Sequence, residues 1–379
     1  ADYTIQRLKE STAAVANHPQ VLVLIDRLSA TGTEIFEIAG GKIVDRELRA
    51  EQNTADPLVF ENFTADALER ARYDQVAVVV KSEGFAWRGI GRDNTHGDEV
   101  GDQLMSNGGL AQALINAQDT VDRDIDLLVL EGSMMGFIEV AYELRNAVSV
   151  LAATQSKIQP EGIPWHLVIG DLGAIPDMAA RELGITITDD HVAYYAAKGN
   201  SGNPGADTFT NFAAMTVLDL SRMGEALKAH DDWFQAALTH MDELHTYLAH
   251  ARDLSEVGGL SYVTTVDYQH DIRTLMTECL RLLEEDGISI SGLADATEYY
   301  LDAQERLVVY ELSSQQGSQL GAATGLGIWY PPTWLKFDTS DEDEEVFGSD
   351  MRYDDPELDL DWVADSGWVD YLYGYFDRA

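Results

Sequence analysis

The sequence predicts an α/β fold: a mostly parallel sheet flanked by helices on both faces, with helical elaboration in the second half. Two observations carry this. Short β-branched runs alternate with helical patterns through the first part of the chain, and those runs are apolar throughout rather than every second residue, as strands covered on both faces are. With no internal repeat and no long linker, one domain over 1–379 is expected. Its sheet core would fall in 1–165, with helices, additional strands and an acidic, aromatic C-terminal segment in 166–379.

VLVLIDR at 21–27 is the first expected strand. TGTEIFEIAGGKIVDRE at 31–47 alternates apolar and polar residues around Gly40-Gly41, the pattern of a hairpin beside the main sheet. A helix over 64–72 leads to the strand QVAVVVK at 75–81. A helix over 109–118 leads to IDLLVLE at 125–131, and a helix over 136–148 to the short strand VLAATQ at 150–155. From 177 to 250 the pattern is helical, broken by the loop KGNSGNPGAD at 198–207. A helix over 268–285, a strand pair (ERLVVYEL and GLGIWYP) and the aromatic end WVDYLYGYF complete the chain.

Charge sets the next bound. Asp and Glu total 66 against 25 Lys and Arg, a formal net charge of −41, and the carboxylates are spread along the chain with one dense run at 341–345. Such a chain repels itself in dilute buffer, and the repulsion fades as the Debye length falls from about 10 Å at 0.1 M salt to about 3 Å at 1 M. The composition therefore reads as adapted to high salt. The same field repels phosphate backbones, and no basic stripe interrupts it, which argues against nucleic-acid binding. No apolar stretch reaches the roughly 20 residues of a spanning helix, so membrane insertion is not expected. Cys279 is the only cysteine, which excludes an internal disulfide and a thiolate cluster; its place on the apolar stripe of TLMTECLRLLEE makes it a buried structural thiol.

In open α/β sheets, sites form beyond the carboxyl ends of the strands. Two such ends matter: Lys81-Ser82-Glu83-Gly84, and Leu130-Glu131-Gly132-Ser133. Around them the order of blocks becomes specific: VLVLIDR, NTADPLVFENFTADAL, RYDQVAVVVKSEGFAWRGIGRDNTHGD and DLLVLEGSMMGFIEVAYELRNAVSVLAATQSKIQPEGIPW. TVLDLSRM, SYVTTVDY, GLGIWYPP and DLDWVADSGWVDYLYGYF follow. In these blocks the chain resembles the clostripain family of cysteine peptidases, which have a caspase-like fold, and the resemblance extends over nearly all of it.

The resemblance implies a dyad at two strand ends. In the family one presents His-Gly and the other Asp-Ala-Cys-Leu-Met-Gly, and the His assists the Cys thiolate in attacking a peptide bond after a basic residue. Carried onto this chain, the His position is Glu83, before Gly84, and the Cys position is Ser133, before Met134-Met135-Gly136. The interval from 83 to 133 is 50 residues, matching the caspase-like spacing of about 50. Both halves of the dyad are thus replaced. A cysteine is partly thiolate at neutral pH, whereas a serine hydroxyl needs an adjacent base to react. A carboxylate with an ordinary pKa near 4.3 is a poor acceptor for a hydroxyl proton and a poor acid for a leaving amine. The G-x-S-x-G elbow of serine hydrolases is absent as well, because the glycines flanking Ser133 stand at other offsets.

The expectation is therefore a catalytically inactive clostripain-like homologue, acting as a protein-binding or structural and assembly component in a high-salt organism or its virus. The alternative is an active peptidase cleaving after basic residues, with Ser133 as nucleophile, served by His96 or His166, or as an engineered replacement for Cys. In the family an acidic residue two positions before the Cys helps select a basic side chain; Glu131 keeps that charge, and Glu161 falls near a second acidic position. A protein or peptide partner, possibly basic, is implied, and a homo- or hetero-oligomer is allowed. No cofactor is expected: DTSDEDEE at 338–345 and Asp189-Asp190 offer oxygen ligands suited to calcium, but without the spacing of a calcium loop. Finally, the family has an apolar strand before the segment that Ala1-Asp2 matches. Either another chain or another part of this one fills that place by strand complementation, or processing has removed the strand, or VLVLIDR and QVAVVVK pair directly.

Overall fold

The computed structural model describes residues 2–27, 32–93, 104–199, 213–257, 268–314, 323–331, 353–354 and 360–378. His96, the acidic run at 341–345 and most of the loop at 198–207 lie outside the described residues.

The elements run in order as α1 (Asp2–Ala14), β1 (Val21–Ile25), β2 (Glu34–Ala39), β3 (Lys42–Leu48), α2 (Pro57–Arg70), β4 (Ala77–Lys81), α3 (Asn107–Val121), β5 (Leu127–Glu131), α4 (Ile138–Leu144) and β6 (Val150–Ala153). Then come α5 (Trp165–Ala174), α6 (Ala180–Gly199), β7 (Ala214–Asp219), α7 (Met223–Thr239), α8 (Met241–Leu254), β8 (Gln269–Asp271), α9 (Ile272–Glu285), α10 (Leu293–Leu307), β9 (Val308–Ser313), β10 (Gly327–Trp329), α11 (Asp361–Asp365) and α12 (Trp368–Phe376).

The central sheet has the order β4-β5-β6-β7-β9, with β4, β5 and β6 parallel and β7 and β9 added antiparallel. β5, LLVLE, is buried at every position, and β6 and β7 are too, which is why these segments are apolar or small on both faces. One face carries α3, α4, α7, α9, α10 and the C-terminal aromatics Trp362, Trp368, Tyr371, Tyr375 and Phe376 in one large core; the other carries α5 and α6 against Leu127, Val129, Ala152 and Val217. The aromatic end is thus core packing, with Trp368 stacked on Tyr371 at 5.1 Å.

VLVLIDR departs from expectation. β1 is not in the central sheet; it pairs antiparallel with β2 in a separate three-stranded sheet, β1-β2-β3. The hairpin at Gly40-Gly41, both at positive φ, forms as expected and supplies β1 with a partner. β1 and β4 are each at the edge of their sheet and, among the described residues, do not pair with each other. The anticipated strand pair ERLVVYEL and GLGIWYP also divides: β9 lies on β7, while β10 pairs with β8, a short strand taken from the start of the expected helix over 268–285. β7 itself lies inside the stretch whose pattern is helical. Helix boundaries move to their caps. Asp56, with Pro57 behind it, starts α2 at 57 rather than 64, its side chain accepting from Leu58 N–H at 2.9 Å. Ser106 likewise starts α3, accepting from Gly109 N–H at 3.0 Å. Among the described residues no helix is long and apolar enough to cross a membrane.

Candidate functional site

The parallel register of β4 and β5 places Lys81 beside Glu131, and so brings the two following loops, with Glu83 and Ser133, to one rim of the sheet. Ser82 N–H donates to the Glu131 carbonyl at 3.3 Å, which continues the pairing one residue past β4. Gly84 then passes so close to the Ser133 carbonyl that a Cβ there would stand 2.5 Å from it and 2.7 Å from the Met135 sulfur. The glycine at position 84 thus has a steric cause.

The turn after β5 is held from the far side by the loop after β6. Met134 N–H donates to the Ser156 carbonyl at 2.9 Å and Gly136 N–H to the Thr154 carbonyl at 2.8 Å. Met134 adopts φ +62°, a conformation that costs an L-residue about 1–2 kcal/mol and that this pair of bonds imposes. Ser133 is thereby presented at the rim, half-buried, and its Oγ accepts one hydrogen bond, from Ile158 N–H at 3.1 Å. Glu83 is exposed, and its carboxylate makes no hydrogen bond or ion pair among the described residues. The sheet therefore brings Glu83 and Ser133, the two positions expected to match the dyad, to one rim and leaves them without a hydrogen bond to each other.

Among the described residues no imidazole joins them. His166, at the start of α5, packs edge-on against Tyr194 with ring centroids 5.8 Å apart and does not hydrogen-bond to Ser133. His270 is buried, its Nδ1 against the Arg252 carbonyl at 2.8 Å, and burial together with the Arg252 charge pulls its pKa down to about 3. Cys279, the sole thiol, is enclosed in the core, where burial pushes its pKa up to about 12.

Glu131 points into the protein instead of competing for the rim. Its carboxylate is wholly buried and satisfied by three donors: the Lys81 ammonium, Ile163 N–H at 3.1 Å and the Trp165 indole N–H at 2.7 Å. Gly162, at φ +73°, closes over this group with no room for a side chain, and the Tyr195 hydroxyl donates to its carbonyl at 2.8 Å. Glu161 is the next residue out; it is exposed and accepts from the Tyr194 hydroxyl at 3.2 Å. The loop that carries Glu161 thus also covers Glu131, but the two carboxylates face different surroundings.

A second network fixes that rim from below. Asp271 caps α9 by accepting from Thr274 N–H at 2.8 Å, and also accepts from Thr324 N–H at 2.7 Å and Gln155 Nε2 at 3.0 Å, while Gln155 Oε1 accepts from Gly325 N–H at 2.8 Å. Gly327 N–H donates to the Gly136 carbonyl at 2.9 Å, which binds β10 to the dyad turn. Nothing in the sequence joins Gln155 to Asp271 and Thr324, because they come from three distant segments, the end of β8 and two loops.

Of the anticipated calcium ligands, Asp189 accepts from the Tyr310 hydroxyl at 2.6 Å, and Asp190 is raised to about 6 by burial and by its neighbours Asp171 and Asp189. A carboxylate trio that sequence spacing does not reveal, Asp26, Glu51 and Asp93, brings its oxygens within 4.8 Å of one another beyond β1. Thr54 N–H donates to Asp93 at 2.8 Å beside it. These are hard oxygen donors of the type that suits calcium or magnesium.

Comparison with known proteins agrees with this architecture. No curated protein sequence matches the chain. Among solved structures, a secreted C11 cysteine protease from Bacteroides thetaiotaomicron in complex with an irreversible peptide inhibitor superposes with a TM-score of 0.64 at 19% identity, covering 87% of this chain and 88% of that one. A second structure of a secreted C11 cysteine protease from the same organism, iotapain, gives 0.62 at 13% identity, covering 95% and 92%. An inactive zymogen of a C11 protease from Parabacteroides distasonis gives 0.55 at 14%, covering 98% and 92%. At these identities the likeness is one of fold. The clostripain family model matches residues 1–370, and the chain belongs to the clostripain family.

Proposed function

We propose that this clostripain-family chain is a catalytically silent member that uses the peptidase scaffold for protein contact or assembly. The observation that carries the reading is the company Ser133 keeps: its hydroxyl accepts a backbone N–H from Ile158, and the residue at the partner position is a solvent-facing carboxylate. Attack on a peptide carbonyl needs a base to take the hydroxyl proton and an acid to return it to the leaving amine. An imidazole does both near neutral pH. A carboxylate is a poor acceptor for a hydroxyl proton and a poor acid for a leaving amine. A buried thiol on α9 offers no substitute nucleophile.

The test is turnover of a fluorogenic peptide library with mixed residues before the scissile bond, in dilute buffer and in multimolar KCl. The natural chain gives no release above buffer in either, and the Glu83→His, Ser133→Cys double variant gains turnover. Cleavage by the natural chain that disappears in Ser133→Ala overturns the reading.

A further inference from the structure

The net charge of −41 is not spread evenly. Residues 1–81, from α1 to the end of β4, hold 13 carboxylates against 9 Lys and Arg, a net of −4, so the other 298 residues carry −37. Six of the ten large hydrophobic side chains exposed among the described residues fall in that nearly neutral part: Tyr3, Val44, Leu48, Leu58, Tyr73 and Val79. β3, at the edge of the hairpin sheet, holds the barest of them, Leu48 at 71% exposure. Each large apolar residue exposed on β3 stands opposite a carboxylate that arginine neutralises. Val44 is the register partner of Glu37, which Arg72 holds, and Leu48 is the register partner of Glu34, which Arg27 and Arg46 hold at 2.9 and 2.5 Å. The end of α2 joins the same face, Arg70 pairing with Asp45 at 2.5 Å. This surface therefore sheds water at little electrostatic cost, on a molecule whose remainder repels an acidic neighbour. It does not offer a regular ladder to another strand: Asp45 has φ +51° and the register with β2 slips between Ile35 and Glu37, a bulge that blunts the edge. Contact is left to side chains. Their charges alternate in sign along Lys42, Asp45, Arg46, Glu47 and Arg49, an arrangement complementary to its own antiparallel copy.

We infer that the face formed by β3 and the end of α2 is where two copies of this chain join about a two-fold axis, with Val44 and Leu48 packed on their counterparts and Arg46 of each copy against Glu47 of the other. A two-fold contact needs one patch that fits itself, and the alternating signs on β3 supply it. The same contact points the two −37 portions away from each other, and what repulsion remains is screened as salt rises. The inference rests on the assembly half of the function proposed above and not on the silent dyad.

Sedimentation equilibrium of the full chain, over a range of concentrations in dilute and in multimolar KCl, tests this. The natural chain forms dimers, and more tightly in multimolar KCl. Leu48→Asp raises the dimer dissociation constant about tenfold or more, with an unchanged far-UV circular dichroism spectrum because the side chain it replaces is exposed. Leu254→Asp adds the same charge at the exposed end of α8 and leaves the constant unchanged. In the most dilute KCl that holds the dimer, Arg46→Glu and Glu47→Arg each weaken it about threefold. The variant carrying both exchanges the two signs together and recovers the natural constant. A natural chain that stays monomeric at every salt and concentration overturns the inference. So does a dimer that Leu48→Asp weakens no more than Leu254→Asp does, or a double variant no tighter than its singles. A monomer removes assembly through this face and leaves the silent dyad standing, and peptide turnover by the natural chain leaves the dimer standing.

Discussion

At the scale of single residues, the silent-dyad reading proposed above turns on two side chains at one rim, Glu83 and Ser133. The backbone that presents the nucleophile position is intact: Gly84 slips past Ser133, Met134 is held in a left-handed turn, and Gly136 meets the Thr154 carbonyl. What differs is the pair of groups on it. That Glu83 and Ser133 share a rim is legible in the sequence, because both follow apolar runs that end in parallel strands, and the loops after parallel neighbours meet at one end of the sheet. The Lys81–Glu131 pair escapes sequence reasoning, although its signal is present. Lys81 stands two residues before Glu83 as Glu131 stands two before Ser133, and matched positions on adjacent parallel strands are neighbours. The Asp26, Glu51 and Asp93 trio carries no such signal, since three loops of unrelated spacing bring it together.

At the scale of elements, α4 is buried at all seven positions directly behind the Ser133 turn. Two of those positions are glutamates. Glu139 accepts from Trp329 N–H at 3.0 Å and from the Tyr353 hydroxyl at 3.1 Å, and Glu143 accepts from Trp362 N–H at 2.9 Å, so α4 holds β10 and the C-terminal helices through carboxyl groups. Burial pushes each of them up to about 7. The folded state therefore binds protons that the unfolded chain releases near pH 4.5, and stability falls as pH rises from about 4.5 to 7 and levels off above. Glu139→Gln keeps the acceptor oxygen and removes the charge. It is expected to flatten the pH profile and to gain up to about 3 kcal/mol at pH 8 while changing little at pH 4.5, measured as denaturant midpoints across pH. The alternation of strand and helix is legible because buried parallel strands are apolar on both faces. β1 is misplaced by sequence reasoning because its apolar run reads the same whether it pairs in the central sheet or with the hairpin beside it. β7 is missed because its six buried residues stand directly ahead of a long helical pattern with no turn signal between them.

For the whole molecule, the net charge of −41 is the dominant fact, and among the described residues few of the ion pairs that offset it are buried. Arg281 with Glu278 and Glu285, and Lys228 with Asp232, are surface pairs of the sort that contribute little and weaken in salt. Self-repulsion should therefore outweigh them. The midpoint of denaturation is predicted to rise as KCl goes from dilute to multimolar; a midpoint that is flat or falls would remove the reading of a salt-adapted chain. The same charge field favours the proposed protein contact over nucleic-acid binding. The most direct measurement is labelling of the natural chain with a fluorophosphonate, which reacts with an activated serine whatever the peptide specificity, followed by mass spectrometry of the peptide that contains Ser133. The account predicts no more adduct at Ser133 than at other hydroxyls, in low or high salt. Stoichiometric modification of Ser133 would contradict it.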